Sequence, residues 1–314
     1  MPDLRIGISG WIYKGWRGEF YPEGLPHRRE LEYATRVLNS LEINGTFYSL
    51  KSPATFDRWA EAAPEDFVFA VKGPRFLTHT LRLRDVRTAL ANFFANGVLR
   101  LGENLGPFLW QLPPRMDFEP QHVAAFCDLL PKNTHQAVKL ARRHNAQVAG
   151  RASFETKGRR RLRHAFEIRD ERFMNEDFVR ILRRHGHALV FADSAGKYPY
   201  AEEITSGFIY IRLHGAKELY ASGYTDEELE WWTRRMRRWS KGEEIKSAPR
   251  ITDRRAPPRK PRDVYVYFDN DAKVHAPFDA ISLAQRLGVA TDPRNVRGAD
   301  GEPVPPPPRL ARGT

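Results

Sequence analysis

Short apolar segments recur along the chain, and each is followed by a segment in which apolar residues repeat at helical spacing. Strands that alternate with helices indicate a parallel sheet covered by helices on its faces. Eight such units favour an α/β fold of the closed (β/α)8 TIM-like barrel type over an open doubly wound sheet. The eight predicted strands cover residues 5–9, 41–44, 67–72, 108–112, 164–169, 188–193, 208–214 and 264–270.

Capping residues mark the ends of several predicted helices. Ser52, which precedes a proline, is typical of a helix start, and Thr225 with Glu228 has the spacing of a capping box. Gly186 and Gly288 follow periodic segments at the position where a left-handed residue ends a helix. These signals support regular helices between the strands.

The composition is that of a folded protein with an uneven charge. Of its 314 residues, 41% are hydrophobic, which excludes wholesale disorder. The net charge is +12, yet residues 142–163 hold eight basic residues against one acidic, and residues 234–262 hold twelve against three. We interpret these segments as basic loop insertions in one slightly acidic barrel domain, residues 1–295. Residues 296–314 are predicted to form a disordered, Pro-rich tail.

Cysteine content and hydropathy suggest where the protein resides. The single cysteine, Cys127, excludes an intrachain disulfide framework and a cysteine-rich zinc site. The sequence has neither a signal-peptide pattern at its start nor a run of about 18 apolar residues. We therefore expect a cytoplasmic protein with no membrane partner, and the oligomeric state stays open.

Polar residues follow almost every predicted strand, where TIM barrels carry their catalytic and binding groups. Residues two apart on a strand face the same way, so Glu167 and Arg169 are expected to share one cleft with Arg212 and His214. Guanidinium groups beside a carboxylate suit an anionic substrate, with Glu167 as general base. The predicted catalytic residues are Glu167, Lys72, His214 and Glu42, and the predicted substrate-binding residues are Arg169, Arg212, Asn44, Gln111, Trp11, Tyr48, His79, Asp193 and Asn270.

Five aromatic residues follow the first two predicted strands, namely Trp11, Tyr13, Trp16, Phe47 and Tyr48. They either stack a ring or sugar at the barrel mouth or pack the first two loops together, since aromatic side chains serve both purposes. The sequence does not decide between these two interpretations.

Six motifs occur in order along the chain. They are IGISGW at 6–11, EINGTFY at 42–48, Lys72 with FLTH at 76–79, LWQLP at 109–113, HAFEIR at 164–169 and YIRLHG at 210–215. Together they resemble the YecE-like family, known as domain of unknown function 72, over about residues 6–287. The resemblance implies a TIM-like barrel and candidate site positions, but no established activity.

A metal site is the competing interpretation of the same strand ends. Its ligands would be Glu167, Asp193, His214 and Asp271, an order similar to that in xylose-isomerase-like and endonuclease-IV-like metal barrels. Such oxygen and imidazole ligands suit Mn²⁺, Mg²⁺ or Zn²⁺. Because arginines lie beside two of these residues and repel a divalent ion, we favour no metal and predict no cofactor, with a divalent ion as the alternative.

Two function hypotheses follow. The first is an enzyme that acts on a small anionic or phosphorylated substrate by general acid/base chemistry, of hydrolase or isomerase/lyase type. The second is a nucleic-acid-binding protein or a metal-dependent phosphodiesterase, because basic segments neutralise phosphates. Solvated loops are the commoner explanation of such charge runs. The candidate nucleic-acid contacts are Arg159, Arg160, Arg161, Arg254 and Arg255.

Overall fold

A closed barrel of eight parallel strands forms the centre of the computed structural model, which describes residues 2–254, 257–258, 260–289 and 305–308. Each strand pairs with the next, and the first pairs with the last. The strands are β1 Leu4–Ser9, β2 Ser40–Ile43, β3 Val68–Lys72, β4 Leu105–Gln111, β5 His164–Glu167, β6 Ala188–Asp193, β7 Phe208–Leu213 and β8 Asp263–Phe268. The predicted TIM-like barrel is therefore confirmed, and every predicted strand overlaps an observed one.

Helices cover the outside of the barrel between the strands. The α-helices are α1 Glu30–Val37, α2 Gly45–Tyr48, α3 Pro53–Glu61, α4 Arg87–Ala95, α5 Pro120–Leu129, α6 Thr134–Ala141, α7 Glu176–His185, α8 Asp226–Ser240 and α9 His275–Leu287. A π-helical turn at Phe76–Thr80 follows β3. Short 3₁₀ helices lie at Lys14–Trp16, His27–Arg29, Val98–Asn104, Ala149–Arg151 and Glu171–Phe173. No helix in the described part of the chain combines the length and apolarity needed to cross a membrane.

The predicted caps are observed with one difference. Thr225 and Glu228 form the reciprocal capping box of α8, and α7 and α9 end at Gly186 and Gly288 with left-handed φ angles of 68° and 72°. Ser52 precedes α3 as predicted, but its hydroxyl lies 2.9 Å from the Thr55 hydroxyl and does not cap a backbone amide. Position along the chain was therefore easier to predict than the side-chain contact.

The residues that point into the barrel change from apolar to charged along the strands. On β7 the inward side chains run from Phe208 through Tyr210 to Arg212, and on β8 Tyr265 and Tyr267 pair in register with Tyr210 and Arg212. An apolar layer thus closes the amino-terminal half of the barrel, and charged groups collect at the carboxyl-terminal end. The apolar layer is Ala70, Leu109, Ala165, Ala188, Val190, Ala192, Phe208, Tyr210, Tyr265 and Tyr267.

The second basic segment is not entirely a loop insertion. Residues 234–240 of the second segment complete α8, so its first quarter is helix and not an inserted loop.

In the tail, the Tyr33 hydroxyl donates to the Pro305 carbonyl oxygen at 3.0 Å, and Pro307 is buried. This short piece lies against the barrel, a contact that the Pro-rich composition does not predict. The other residues of the predicted tail lie outside the described residues.

Candidate functional site

A buried ion cluster occupies the carboxyl-terminal end of the barrel interior, centred on Arg212. Its Nε and Nη2 atoms donate to both carboxylate oxygens of Glu42, at 3.1 and 2.8 Å. Nη1 donates to Glu167 at 2.7 Å, and Nη2 also lies within reach of Asp269 at 2.9 Å and the Ser9 hydroxyl at 3.1 Å. One guanidinium, with no exposed surface, therefore joins carboxylates from β2, from β5 and from the residue that follows β8.

The burial and complete hydrogen bonding of the Arg212 guanidinium contradict the predicted roles of Arg212 in substrate binding and of Glu42 in catalysis. Because every N–H group of Arg212 faces a protein acceptor and the side chain is 0% exposed, Arg212 is not available to clamp a substrate. Glu42 is equally buried and also accepts from the Tyr210 hydroxyl at 2.6 Å. Both side chains lie in the barrel interior without exposed surface, and neither lines the cavity at the barrel mouth.

Glu167 is a counterion and a poor general base. It accepts from Arg169 Nε at 3.0 Å and from Gln111 Nε2 at 3.1 Å, in addition to Arg212. Burial alone would raise the pKa of Glu167, but the charges of Arg212 and Arg169 hold it well below its usual range. A carboxylate held in its charged form by two guanidinium groups has little tendency to take a proton, contrary to the predicted role.

Asp269 belongs to the cluster although the sequence analysis did not select it. Its carboxylate lies 3.0 Å from His214 Nδ1, and despite burial the charge of Arg212 lowers its pKa to about 2. Asp269 continues the inward alternation of Tyr265 and Tyr267, so counting by two along β8 would have found it. The predicted neighbour, Asn270, points outward, where its Nδ2 donates to the Ser222 carbonyl and to Asp279.

A cavity of about 800 Å³ opens above the ion cluster at the barrel mouth. Its floor includes Lys72, Gln111, Arg169 and Asp269, so it reaches the edge of the cluster but not its centre. Six aromatic side chains and four cations take part in its lining. The complete lining is Gly10, Trp11, Ile12, Tyr13, Asn44, Gly45, Phe47, Tyr48, Lys51, Trp59, Lys72, Arg75, His79, Gln111, Arg169, Tyr220, Asp269 and Asp271.

Lys72 is a cation beside the cluster whose ammonium group forms no ion pair with any described residue. Its Nζ atom lies 4.4 Å from the centre of the Phe47 ring, and no described residue offers it a hydrogen bond or an ion pair. Burial, together with the positive charge of Arg212, lowers its pKa to about 8. The ammonium group is therefore still mostly charged at pH 7 and lies at the floor of an open cavity.

Asp271 is the carboxyl group best placed for proton transfer. It lines the cavity, and burial together with the negative charge of Asp269 raises its pKa to about 6. The neighbouring Tyr13 donates its hydroxyl to the Ser9 carbonyl at 2.7 Å. Gly10, at φ 85°, turns the chain after β1 so that this tyrosine closes back over the mouth.

His79 is a neutral polar group on the cavity wall. Its Nδ1 atom lies 2.9 Å from the Thr78 hydroxyl, and its ring packs edge-on against Phe47. Burial and the nearby Lys72 charge lower its pKa to about 4. The imidazole therefore offers a hydrogen bond without a charge, in a π-helical turn of the kind often found at functional sites.

The other predicted site residues divide between the cavity and the protein interior. Asn44, Trp11 and Tyr48 line the cavity, and their predicted role in substrate binding stays a prediction, whereas Trp16 is buried and packs against Phe20. Asp193 accepts from the Tyr224 hydroxyl at 3.0 Å and lines a separate cavity of about 400 Å³. The Asp193 side chain therefore points away from the cavity at the barrel mouth.

The four residues of the alternative metal site do not come together. Glu167 and His214 are 3.6 Å apart, but Asp193 lines the separate cavity and the Arg212 guanidinium lies beside the other two groups. Within the described ranges, no three His, Cys, Asp or Glu residues are arranged to hold a metal ion.

The candidate nucleic-acid contacts are only partly available. Arg160 donates to the carbonyl oxygens of Gly102 and Glu103, and Arg254 lies 3.5 Å from Glu176. Arg159 and Arg161 are exposed, and Arg255 lies outside the described residues. Nucleic-acid binding stays a prediction. The intramolecular contacts of Arg160 and Arg254 reduce the number of arginines that support it.

Fold and site together define a (β/α)8 barrel protein with an ion-paired floor and an open, cation-lined cavity at the carboxyl ends of its strands. The family model described as "Protein of unknown function DUF72" matches residues 5–304. The chain therefore belongs to the DUF72 family, as its six motifs suggested.

Two curated proteins are similar to part of this chain. The chain is 29% identical over 140 residues to the UPF0759 protein YecE of Escherichia coli strain K12, a match covering 44% of this chain and 48% of that protein. It is 24% identical over 126 residues to the UPF0759 protein YunF of Bacillus subtilis strain 168, covering 38% and 44%. The matched segment spans about half the length of these relatives or less.

Solved structures of DUF72 family proteins share the fold. One from Thermotoga maritima MSB8 has a TM-score of 0.67 at 23% identity, covering 91% of this chain and 99% of that chain. One from Enterococcus faecalis V583 has a TM-score of 0.65 at 15% identity, covering 92% and 97%. At these identities the likeness shows the fold alone.

Proposed function

We propose that this protein is an enzyme that binds a small anionic substrate at the barrel mouth and uses Asp271 to move a proton. The observation that carries this proposal is Lys72, a buried ammonium group that faces the cavity and has no ion-pair partner among the described residues. A buried charge without a partner is costly, and a bound anion would remove that cost.

Neighbouring groups support anion binding at the same place. Arg169 lines the cavity and is held by Glu167, by the Tyr220 hydroxyl at 3.1 Å and by stacking on the Tyr198 ring at 4.5 Å. These contacts fix its guanidinium before a ligand arrives, which lowers the entropy cost of binding. Lys72 and Arg169 are therefore proposed as the anion-binding pair.

Proton transfer is assigned to Asp271 in place of Glu167. A general acid or base works best when its pKa lies near the working pH, and the pKa of about 6 for Asp271 meets that condition. The strongly lowered pKa of Glu167 does not. The reaction type stays open, because an anion-binding site with one carboxyl group for proton transfer serves both hydrolysis and isomerisation.

Anion binding by purified protein tests the first half of the proposal. We expect inorganic phosphate, methyl phosphate or acetate to bind at low salt, and calorimetry to show a loss of at least about tenfold in affinity for Lys72→Met, the usual scale of a charged hydrogen bond. Affinity should fall as pH rises through about 8, where Lys72 loses its proton. Lys139→Met, at an exposed position on α6, is the matched control and should bind normally.

The second half requires turnover of an anion found in this way. Asp271→Asn should keep the affinity and lose most of the rate, because the amide accepts no proton. Absence of Lys72-dependent binding by any of the three anions would overturn the proposed site.

A further inference from the structure

Exposed apolar side chains concentrate at one place on the described surface. Four large hydrophobic residues are exposed on the described surface, Tyr48 at 71%, Ile12 at 60%, Phe76 at 51% and Trp231 at 36%, and Trp231 lines the separate cavity. Tyr48 and Ile12 line the barrel-mouth cavity, and Phe76 follows the lining residue Arg75 in the chain. Single exposed apolar residues need no explanation, but two that line one cavity, with a third next to a lining residue, mark a contact surface.

The cations of the cavity form two levels. Lys72 and Arg169 lie at the buried floor, whereas Arg75 and Lys51 are at the outer edge. Arg75 has no hydrogen bond or ion pair with any described residue, and Lys51 donates only to the Ser49 hydroxyl, at 2.8 Å. A ligand that reached only the floor would leave the outer level unused.

Aromatic rings connect these two levels. Phe47 contacts Lys72 on the inside and packs edge-on against Tyr48 on the outside, with ring centres 5.2 Å apart. A second pair, Trp11 packed edge-on against Trp59 at 5.5 Å, lines the same cavity. Both pairs line the cavity, so a flat group bound in it would meet aromatic surface.

The size of the cavity agrees with this arrangement. Pockets of about 300–1,000 Å³ typically hold molecules of drug size, and this one measures about 800 Å³. A lone phosphate or carboxylate would occupy a small part of it, and the aromatic side chains of the lining would stay in contact with solvent.

Building on the proposed function, we propose that the substrate class is a ring-bearing anion, whose anionic end binds at Lys72 and Arg169 and whose planar ring stacks on the aromatic lining toward Tyr48 and Phe76. The aromatic lining that runs from Lys72 through Phe47 to the exposed Tyr48 carries this inference. It names the substrate class and leaves the chemical step unchanged.

Two matched pairs of probes test the inference, phenyl phosphate against methyl phosphate and benzoate against acetate, each titrated by calorimetry at pH 7 and low salt. We expect each ring-bearing member to bind roughly tenfold tighter than its partner, the order expected for one stacked ring with its buried surface. The double variant Tyr48→Ala/Phe76→Ala should lose most of that advantage and bind methyl phosphate and acetate as the wild type does. Both positions are exposed, so folding should be preserved.

Two further variants separate the possible outcomes. Lys72→Met should weaken all four probes, whereas Trp231→Ala, at the exposed aromatic of the separate cavity, should change none of them. Equal affinity within both pairs, or a ring advantage that survives the double variant, would overturn the inference while leaving the proposed anion site intact. Failure of all four probes to bind would overturn both proposals.

Discussion

Arginine has opposite environments at the barrel mouth and at the basic periphery. At the mouth, one fully buried guanidinium, Arg212, joins the carboxylates of Glu42, Glu167 and Asp269. At the periphery, Arg238 pairs with Glu243 alone, at 2.9 Å, and both side chains are about half exposed. The periphery supplies the positive net charge, whereas the mouth holds the charges that water does not screen.

Desolvation, more than the number of charges, therefore determines how much an ion pair contributes to the free energy of unfolding. Exposed pairs contribute about 0–1 kcal/mol, because water screens them and the side chains lose freedom. Breaking a buried pair costs about 3–5 kcal/mol, because it leaves a buried charge without a partner. A net charge of +12 therefore says little about this site.

Arg212→Met should have the largest effect on stability. It leaves three buried or partly buried carboxylates without their shared cation, so we expect the free energy of unfolding to fall by about 3–5 kcal/mol or more. Urea denaturation followed by circular dichroism measures this. A loss below about 1 kcal/mol would show that the cluster is no stronger than a surface pair.

Lys72→Met should act in the opposite direction at the same barrel end. The pKa of Lys72 is lowered from 10.5 to about 8, so the unfolded chain holds this proton more tightly, and the group opposes folding below pH 8. We expect the variant to be more stable than the wild type by about 3 kcal/mol at pH 7. The difference should shrink as pH rises from about 8 to 10.5, as denaturation at several pH values would reveal. A destabilised variant at pH 7 would contradict the desolvation cost of this ammonium group.

Arg238→Met gives the smallest expected effect and completes the comparison. Removing its exposed pair with Glu243 and its bond to the Glu244 carbonyl should lower the free energy of unfolding by less than about 1 kcal/mol. The same denaturation experiment checks it beside Arg212→Met. A loss as large as that of Arg212 would remove the distinction between the two regions.

Part of the candidate site followed from the sequence, and the misses have physical causes. Period-two alternation placed Glu167 with Arg169 and Arg212 with His214 on the inner face, and all four are there. The alternation does not give the depth of each side chain, so the predicted roles of Glu167 as general base and Arg212 as substrate-binding residue fall on two fully buried groups. Asp269 was missed for a simpler reason: the strand was counted to Asn270, one residue out of phase.

The sequence by itself determined the barrel, its eight strands and the helix ends at Ser52, Thr225, Gly186 and Gly288, because hydrophobic periodicity and capping are local properties of the chain. Only the tertiary structure decided which charges neutralise one another and which face the cavity. The ligands of one guanidinium come from strands β1, β2 and β5 and from the residue that follows β8. Their burial depends on closure of the whole barrel, so no segment alone could show that Arg212 is satisfied and Lys72 is not.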